Sequence, residues 1–312
     1  MGKVVVTGAN GFIGGVLCET LVRNGIETIG VIRSRPDMPF YGNDITWLRK
    51  DGPGWDALSG LSGIDAVVHL SGVTSGIDDV LLHDINVTET RKLFDKAYQL
   101  GARRFVFLST VKVHGERTFE PLTEKSPFNP MTPYARSKFL AEQVLLEANQ
   151  NHNIDLVVLR PPAVYGPGMK GNLLKILWLL KRNLPVVVPE KTGLRSLVYV
   201  HNLVNAVLSV VRSQPPLHSA FFVSDGHDLD FTALVAGLIS CMQSRSRIIR
   251  LPAVFWRMAE HTPFLNEYVL RATSCLQVST EKIRRELHWR PVFGIEDALK
   301  QTTQWFLRKK MR

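Results

Sequence analysis

The chain has 312 residues, 45% of them hydrophobic and 21% charged, with three cysteines and a formal net charge of +10. That balance is ordinary for a globular protein able to bury a substantial core, and it argues against disorder or a disulfide scaffold. Cys18, Cys241 and Cys275 are far apart and odd in number, which fits a reducing compartment and predicts no metal site.

The first predicted strand, Lys3–Thr7, runs into Thr7-Gly8-Ala9-Asn10-Gly11-Phe12-Ile13-Gly14, which opens a predicted helix over Phe12–Asn24. A strand, a glycine turn and a helix in that order form a device for holding a pyrophosphate. Gly8 allows the tight turn, Gly11 lets the backbone approach the phosphates, and Gly14 lets the helix pack close to the strand. The helix N-terminus then offers unpaired N–H groups and a partial positive charge. Met1 almost adjoins this strand, so no signal peptide is expected and a cytoplasmic location is.

Further strands are predicted at Thr28–Ile32, Thr46–Lys50, Ala66–Leu70, Phe105–Ser109 and Leu156–Leu159, with helices at Asn86–Leu100 and Pro133–Asn149. Several strands are continuous apolar runs, as parallel strands covered on both faces require. The order predicts an α/β fold, a doubly wound parallel sheet of the Rossmann type, with a ligand crevice at the carboxyl ends of its strands. After residue 165 the pattern changes. Gly166-Pro167-Gly168 reads as a turn, Leu173–Lys181 as a helix, Pro185–Pro189 as a short strand, and Ile295–Arg308 as a closing helix. Residues 1–165 are therefore expected to form a dinucleotide-binding domain. Residues 166–312 form a smaller, mixed C-terminal substrate lobe, interleaved with the first in one fold. The apolar stretch Leu173–Val188 contains Lys175, Lys181, Arg182 and Pro185, which excludes a membrane span there. Basic clusters at 245–250, Arg284-Arg285 and Arg308-Lys309-Lys310 lack interleaved aromatics, so no nucleic-acid partner is expected. The charge suits anionic ligands such as nucleotides.

Tyr134 and Lys138 stand four residues apart, on one face of a helix. A fixed cation favours a phenolate, so Lys138 is expected to lower the pKa of Tyr134. The strand Phe105–Ser109 ends in the hydroxyls of Ser109 and Thr110, either of which could hold a substrate oxygen beside the phenol. Lys112 and His114 flank this place, and His114 is expected to be a packing residue.

Together these segments resemble the extended short-chain dehydrogenase/reductases, the NAD-dependent epimerase/dehydratase family, in the branch that handles nucleotide sugars. The resemblance is carried by TGANGFIG (7–14), VVHLSG (67–72), INVTET (85–90), FVFLSTVKVHG (105–115), PYARSK (133–138), LRPPAVYGPG (159–168), RSLVYVHNL (195–203) and ELHWRP (286–291). It implies that Tyr134 exchanges a proton with the sugar and that Lys138 assists it and holds the nicotinamide ribose. Counting back from Gly115 selects Thr110 as the substrate-orienting hydroxyl. Asn86 matches a fourth catalytic position, and an asparagine there would serve equally as an N-cap. The implied cofactor contacts are Gly8, Asn10, Gly11, Phe12, Ile13, Gly14, Arg33, Asp51, Gly52, Leu70, Ser71, Gly72, Asn86, Tyr134, Lys138 and Pro161. The implied substrate contacts are Thr110, Tyr134, Asn172, Arg195 and Arg271, with Asn172 equally readable as a helix cap.

The second predicted strand exits into Arg33-Ser34-Arg35, with no acidic residue for a ribose diol. A guanidinium there suits a 2′-phosphate, so NADP(H) is expected ahead of NAD(H). Val111-Lys112 occupies the place of the Asp-Glu pair that the family's dehydratases use, which disfavours dehydration. The expected activity is NAD(P)H-dependent reduction of the C4 keto group of a UDP-2-acetamido-2,6-dideoxy-hexulose, in surface polysaccharide precursor synthesis. The alternatives are a UDP-sugar 4-epimerase with bound NAD, acting on UDP-glucose/UDP-galactose or their N-acetyl forms, and a non-catalytic NADP(H) sensor. The resemblance also implies a homodimer through the helices Asn86–Leu100 and Pro133–Asn149.

Overall fold

The computed structural model describes residues 2–33, 44–74, 76, 78–152, 154–214, 216–252, 254–256, 268–270 and 272–308. Its centre is a seven-stranded parallel sheet. Six of the strands lie within residues 3–160: β1 (Lys3–Thr7), β2 (Thr28–Ile32), β3 (Ile45–Arg49), β4 (Ile64–His69), β5 (Arg104–Leu108) and β6 (Asp155–Arg160). Four short strands follow outside this sheet: β7 (Ala163–Tyr165), β8 (Val186–Pro189), β9 (Leu194–Arg195) and β10 (Leu197–Tyr199). β11 (Ser219–Phe222) then returns to it, giving the order β11-β6-β5-β4-β1-β2-β3. The order reverses between β1 and β4, and a crevice opens beyond their carboxyl ends, where such sheets bind ligands.

Alternation along the strands explains the two covered faces. Val4 and Val6 point to one side, where they meet Leu17 and Leu21 of α1 (Phe12–Arg23) and Leu203 and Val207 from Val200–Arg212. Val5, Val67 and Phe105 point to the other, against Leu93 and Phe94 from Glu89–Gln99 and Leu145 from Pro133–His152. Phe94 meets Phe105 edge to face, with ring centroids 5.1 Å apart. Truncating Phe94 to Ala there would cost about 3–5 kcal/mol.

The helix expected from Asn86 begins earlier. Asp78 caps α2 (Asp79–His83), its carboxylate accepting from the Leu81 amide at 2.8 Å; a π-helical turn (Asp84–Thr88) then leads into α3 (Glu89–Gln99). Asn86 lies inside that turn, so it is not the N-cap that its sequence context equally allowed. α4 (Pro133–His152), α5 (Asn172–Lys181) and α6 (Val200–Arg212) follow. The later half of the chain contributes α6 and β11 to the central sheet. It also builds its own core, in which Leu177 and Leu180 of α5 meet Leu238 of α7 (Phe231–Met242) and Phe306 of the closing helix. Around that core β10 pairs with β7, β9 with β12 (Leu229–Asp230), and β8 with β13 (Ile248–Leu251). The chain ends in α8 (Glu281–Leu287) and α9 (Ile295–Arg308), the latter over the residues expected. Among the described residues no helix is long and apolar enough to cross a membrane.

Candidate active site

A cleft of about 400 Å³ opens at the reversal of strand order. Gly8, Asn10 and Gly11 form one wall; Leu70, Ser71 and Gly72 after β4 form another; Arg33, at the end of β2, lines the far end with Gly52. Gly8 adopts φ +66, and a Cβ there would stand 2.9 Å from the Ser71 nitrogen. A Cβ on Gly14 would run into the Gly8 carbonyl oxygen. The Gly11 amide donates to the Gly8 carbonyl at 2.8 Å, closing the turn. No acidic residue occupies the first turn of α1 and no side-chain cap bond is made by Gly11, so the partial positive charge of this helix end is not offset there. Backbone stripped of Cβ atoms at a positive helix end is what a dinucleotide pyrophosphate requires, and the residues present fit that group.

Four of the expected cofactor contacts, Phe12, Ile13, Asp51 and Pro161, are not in the cleft lining. Phe12 and Ile13 pack against the C-terminal core, and Asp51 pairs with Arg49 at 2.7 Å, exposed to solvent. Pro161 lies beside the second constellation, its carbonyl accepting from the Val111 amide at 2.9 Å. Ser34, Arg35 and Arg271 lie outside the described residues.

Thr110 is the N-cap of a short 3-10 turn (Val111–His114), and its hydroxyl oxygen accepts from the Lys112 amide at 3.3 Å. Ser109, by contrast, donates its hydroxyl to Glu142. The two adjacent hydroxyls are thus separated in role by the fold. Tyr134, half-buried near the start of α4, has its phenol pushed up to about 12 by burial. Lys138, one turn on, is buried with Nζ 3.9 Å above the centre of the Phe107 ring, and burial pulls it down to about 7. Burial therefore acts on the phenol against the lowering expected from Lys138. The same desolvation that raises the phenol removes much of the ammonium meant to lower it.

Asn86 fastens these parts together. Its Oδ1 accepts from the Val73 amide at 2.9 Å, while Nδ2 donates to the Val73 carbonyl at 2.8 Å and to Ser137 Oγ at 2.9 Å. Ser137 in turn donates to the Tyr134 carbonyl at 2.9 Å. The π turn that carries Asn86 also lends Asp84 and Ile85 to the cleft lining, so one side chain joins the cleft to the first turn of α4. Asn172 is the exposed first residue of α5, after Gly171 in the cap position, and makes no cap bond itself. Arg195 donates to Ser274 Oγ at 2.9 Å.

Sequence reasoning missed several residues of this neighbourhood. Lys50 lines the cleft, bonds Glu89 at 3.1 Å and sits 4.9 Å over the Trp55 ring; these partners are distant in sequence and leave no local pattern. His69, buried under the cleft floor, faces Thr7 Oγ1 at 2.7 Å and Thr90 Oγ1 at 2.9 Å. Burial, then the charge of Lys138, pulls it down to about 3, so it stays neutral. Glu142 had a readable signal, because it repeats the helical step from Tyr134 to Lys138 once more. His114 is the packing residue expected. It is stacked 4.8 Å from Phe128, and burial, then the Arg160 charge, lowers its pKa.

A glycine turn at a strand reversal, with a tyrosine–lysine helix beside it, defines a dinucleotide-dependent enzyme of epimerase or oxidoreductase type. The chain belongs to the NAD dependent epimerase/dehydratase family, whose pattern it matches over residues 4–219. It is 27% identical to a UDP-glucose 4-epimerase of Vibrio cholerae, over 99% of this chain and 97% of that protein. It is 28% identical to the N-acetyl-alpha-D-glucosaminyl-diphospho-ditrans,octacis-undecaprenol 4-epimerase of Escherichia coli O157:H7, over 80% of this chain and 75% of the other. Its fold is similar to the crystal structure of UDP-glucuronic acid 4-epimerase from Bacillus cereus in complex with NAD, with TM-score 0.81 and 19% identity, covering 98% of this chain and 99% of that one.

Proposed function

We propose that this enzyme is a UDP-sugar 4-epimerase that works with a bound nicotinamide dinucleotide. The observation that carries the reading is the Asn86 clamp, which joins the glycine-turn cleft to the helix bearing Tyr134 and Lys138. Similarity to 4-epimerases along nearly the whole chain supports the choice of reaction.

The dinucleotide, when bound, supplies the hydride acceptor and donor. The backbone at Gly8 and Gly11 would hold its pyrophosphate, with Gly14 letting α1 pack close, and Lys138 would hold its nicotinamide ribose. Thr110 orients the C4 oxygen of the sugar, which Tyr134 deprotonates on oxidation and reprotonates on reduction. Oxidation needs the phenolate, which burial disfavours and a neighbouring Lys138 ammonium favours. Arg195 and Asn172 are assigned to the nucleotide end of the substrate, with Arg271. Two copies are expected to pair through α3 and α4, where Tyr98, Leu140 and Leu146 are 47%, 40% and 53% exposed.

A second reading, reduction of a UDP-4-keto-sugar by NADPH for surface polysaccharide precursors, is favoured by a specific feature of the cleft. Arg33 lines the cleft, and a guanidinium there suits a 2′-phosphate. Incubation with UDP-glucose, UDP-galactose and their N-acetyl forms, without added cofactor, separates the two by NMR of the sugars. Interconversion supports the epimerase. Stoichiometric loss of NADPH with a UDP-4-keto-sugar supports the reductase. Tight NADPH binding with no turnover of any of these leaves the sensor.

A further inference from the structure

Glu142 is fully buried, with 0% exposure, and Arg160 is 4% exposed. Arg160 Nε lies 3.1 and 3.2 Å from the two carboxylate oxygens, Nη2 lies 2.5 Å from Oε2, and Ser109 donates to Oε1. The outer side of the guanidinium faces His114 Nε2 at 3.1 Å, while His114 Nδ1 faces the Pro127 carbonyl at 3.1 Å. A guanidinium only donates and a carbonyl only accepts, so His114 is the neutral tautomer with its proton on Nδ1. Glu142 and Arg160 are therefore the two charges of this cluster. An ion pair this deep is a poor source of stability, since apolar residues of like volume commonly do as well. Its position suggests another role.

Tyr134, Lys138 and Glu142 follow one another at four-residue steps on one face of α4. The groups facing Lys138 are Tyr134 and Glu142 on its own helix, the neutral His69 of β4, and the Phe107 ring of β5. Behind Glu142 stand Ser109 at the end of β5, Arg160 at the end of β6, and His114. Glu142 is the carboxylate in this set.

We propose that Glu142 is a positioning residue for the reaction, a buried counter-charge, pinned by Arg160 and Ser109, that holds Lys138 as an ammonium beside Tyr134. The role rests on the reading of Tyr134 and Lys138 as the proton-handling pair. Burial pulls Lys138 down and the Glu142 charge opposes that fall. Through Ser109, the carboxylate also fixes the residue that precedes Thr110.

The test titrates Lys138 itself, by NMR of protein labelled at lysine Cε and assigned with Lys138→Met, so that it needs no substrate. In Glu142→Gln the Lys138 midpoint is expected to fall by about one pH unit, a tenfold fall in the ratio of ammonium to amine at a given pH. Arg160→Gln should raise it, and the double variant Glu142→Gln/Arg160→Gln should fall between. Opposite signs are the signature, because a purely structural perturbation has no reason to produce them. The double variant, which retains a hydrogen-bonded pair of similar volume, covers the case in which a single variant fails to fold. An unmoved midpoint in Glu142→Gln, or shifts of the same sign in both single variants, overturns the proposal. The same shifts without turnover of any nucleotide sugar leave the counter-charge intact and overturn the assigned reaction instead.

Discussion

The glycine-turn cleft and the α4 face solve opposite electrostatic problems. The cleft presents backbone dipoles and exposed or paired cations at its edge, as Gly8, Gly11, Arg33 and Lys50 show, and it is ready for a charged ligand. The α4 face buries its charges, so Tyr134 sits near 12 and Lys138 near 7 before any ligand arrives. The first region binds through geometry that pH hardly touches. The second works through groups whose state depends on what surrounds them.

Four measurements probe that contrast. Tyr134→Phe should cut turnover roughly a thousandfold while leaving dinucleotide affinity within a factor of about three, because only the α4 face loses a proton carrier. Stopped turnover assays beside fluorescence titration of NADH would show it. An equal loss in both would mean that the regions are not separable. Gly14→Val places side-chain atoms against the Gly8 carbonyl and should weaken dinucleotide binding roughly a hundredfold. Calorimetric titration at pH 6 and pH 9 should give the same factor, since no titrating group is involved.

Arg33→Ala should lower the ratio of NADPH to NADH affinity about tenfold. An unchanged ratio removes the support for a 2′-phosphate contact and with it the case for the reductase. The smallest effect is in stability. Lys138 is less basic folded than unfolded, so between about 7 and its ordinary value of 10.5 the unfolded chain binds more protons and stability rises with pH. Lys138→Met should therefore melt a few degrees above the wild type at pH 6, with the gap closing toward pH 10. A constant gap would show that the ammonium is not what burial penalises.

The parts of the site that were legible in sequence are those made by neighbours along the chain. The turn from Thr7 to Gly14 is set by short-range sterics, and the Tyr134–Lys138 pair by helical periodicity. Asn86 was named, but its work was not, because its partners Val73 and Ser137 come from other elements. β11 escaped notice for a similar reason: Ser219–Phe222 is four residues long, and only the open edge of β6 makes it a strand.

The sequence by itself determined the first six strands in order, the glycine turn and the residue types that can move a proton, since each depends on local sterics or on a periodic pattern. Tertiary structure decided which of two adjacent hydroxyls remains available, by engaging Ser109 with Glu142. It also decided the protonation of Tyr134 and Lys138, because desolvation is a property of everything packed around a group and no neighbour in the chain specifies it.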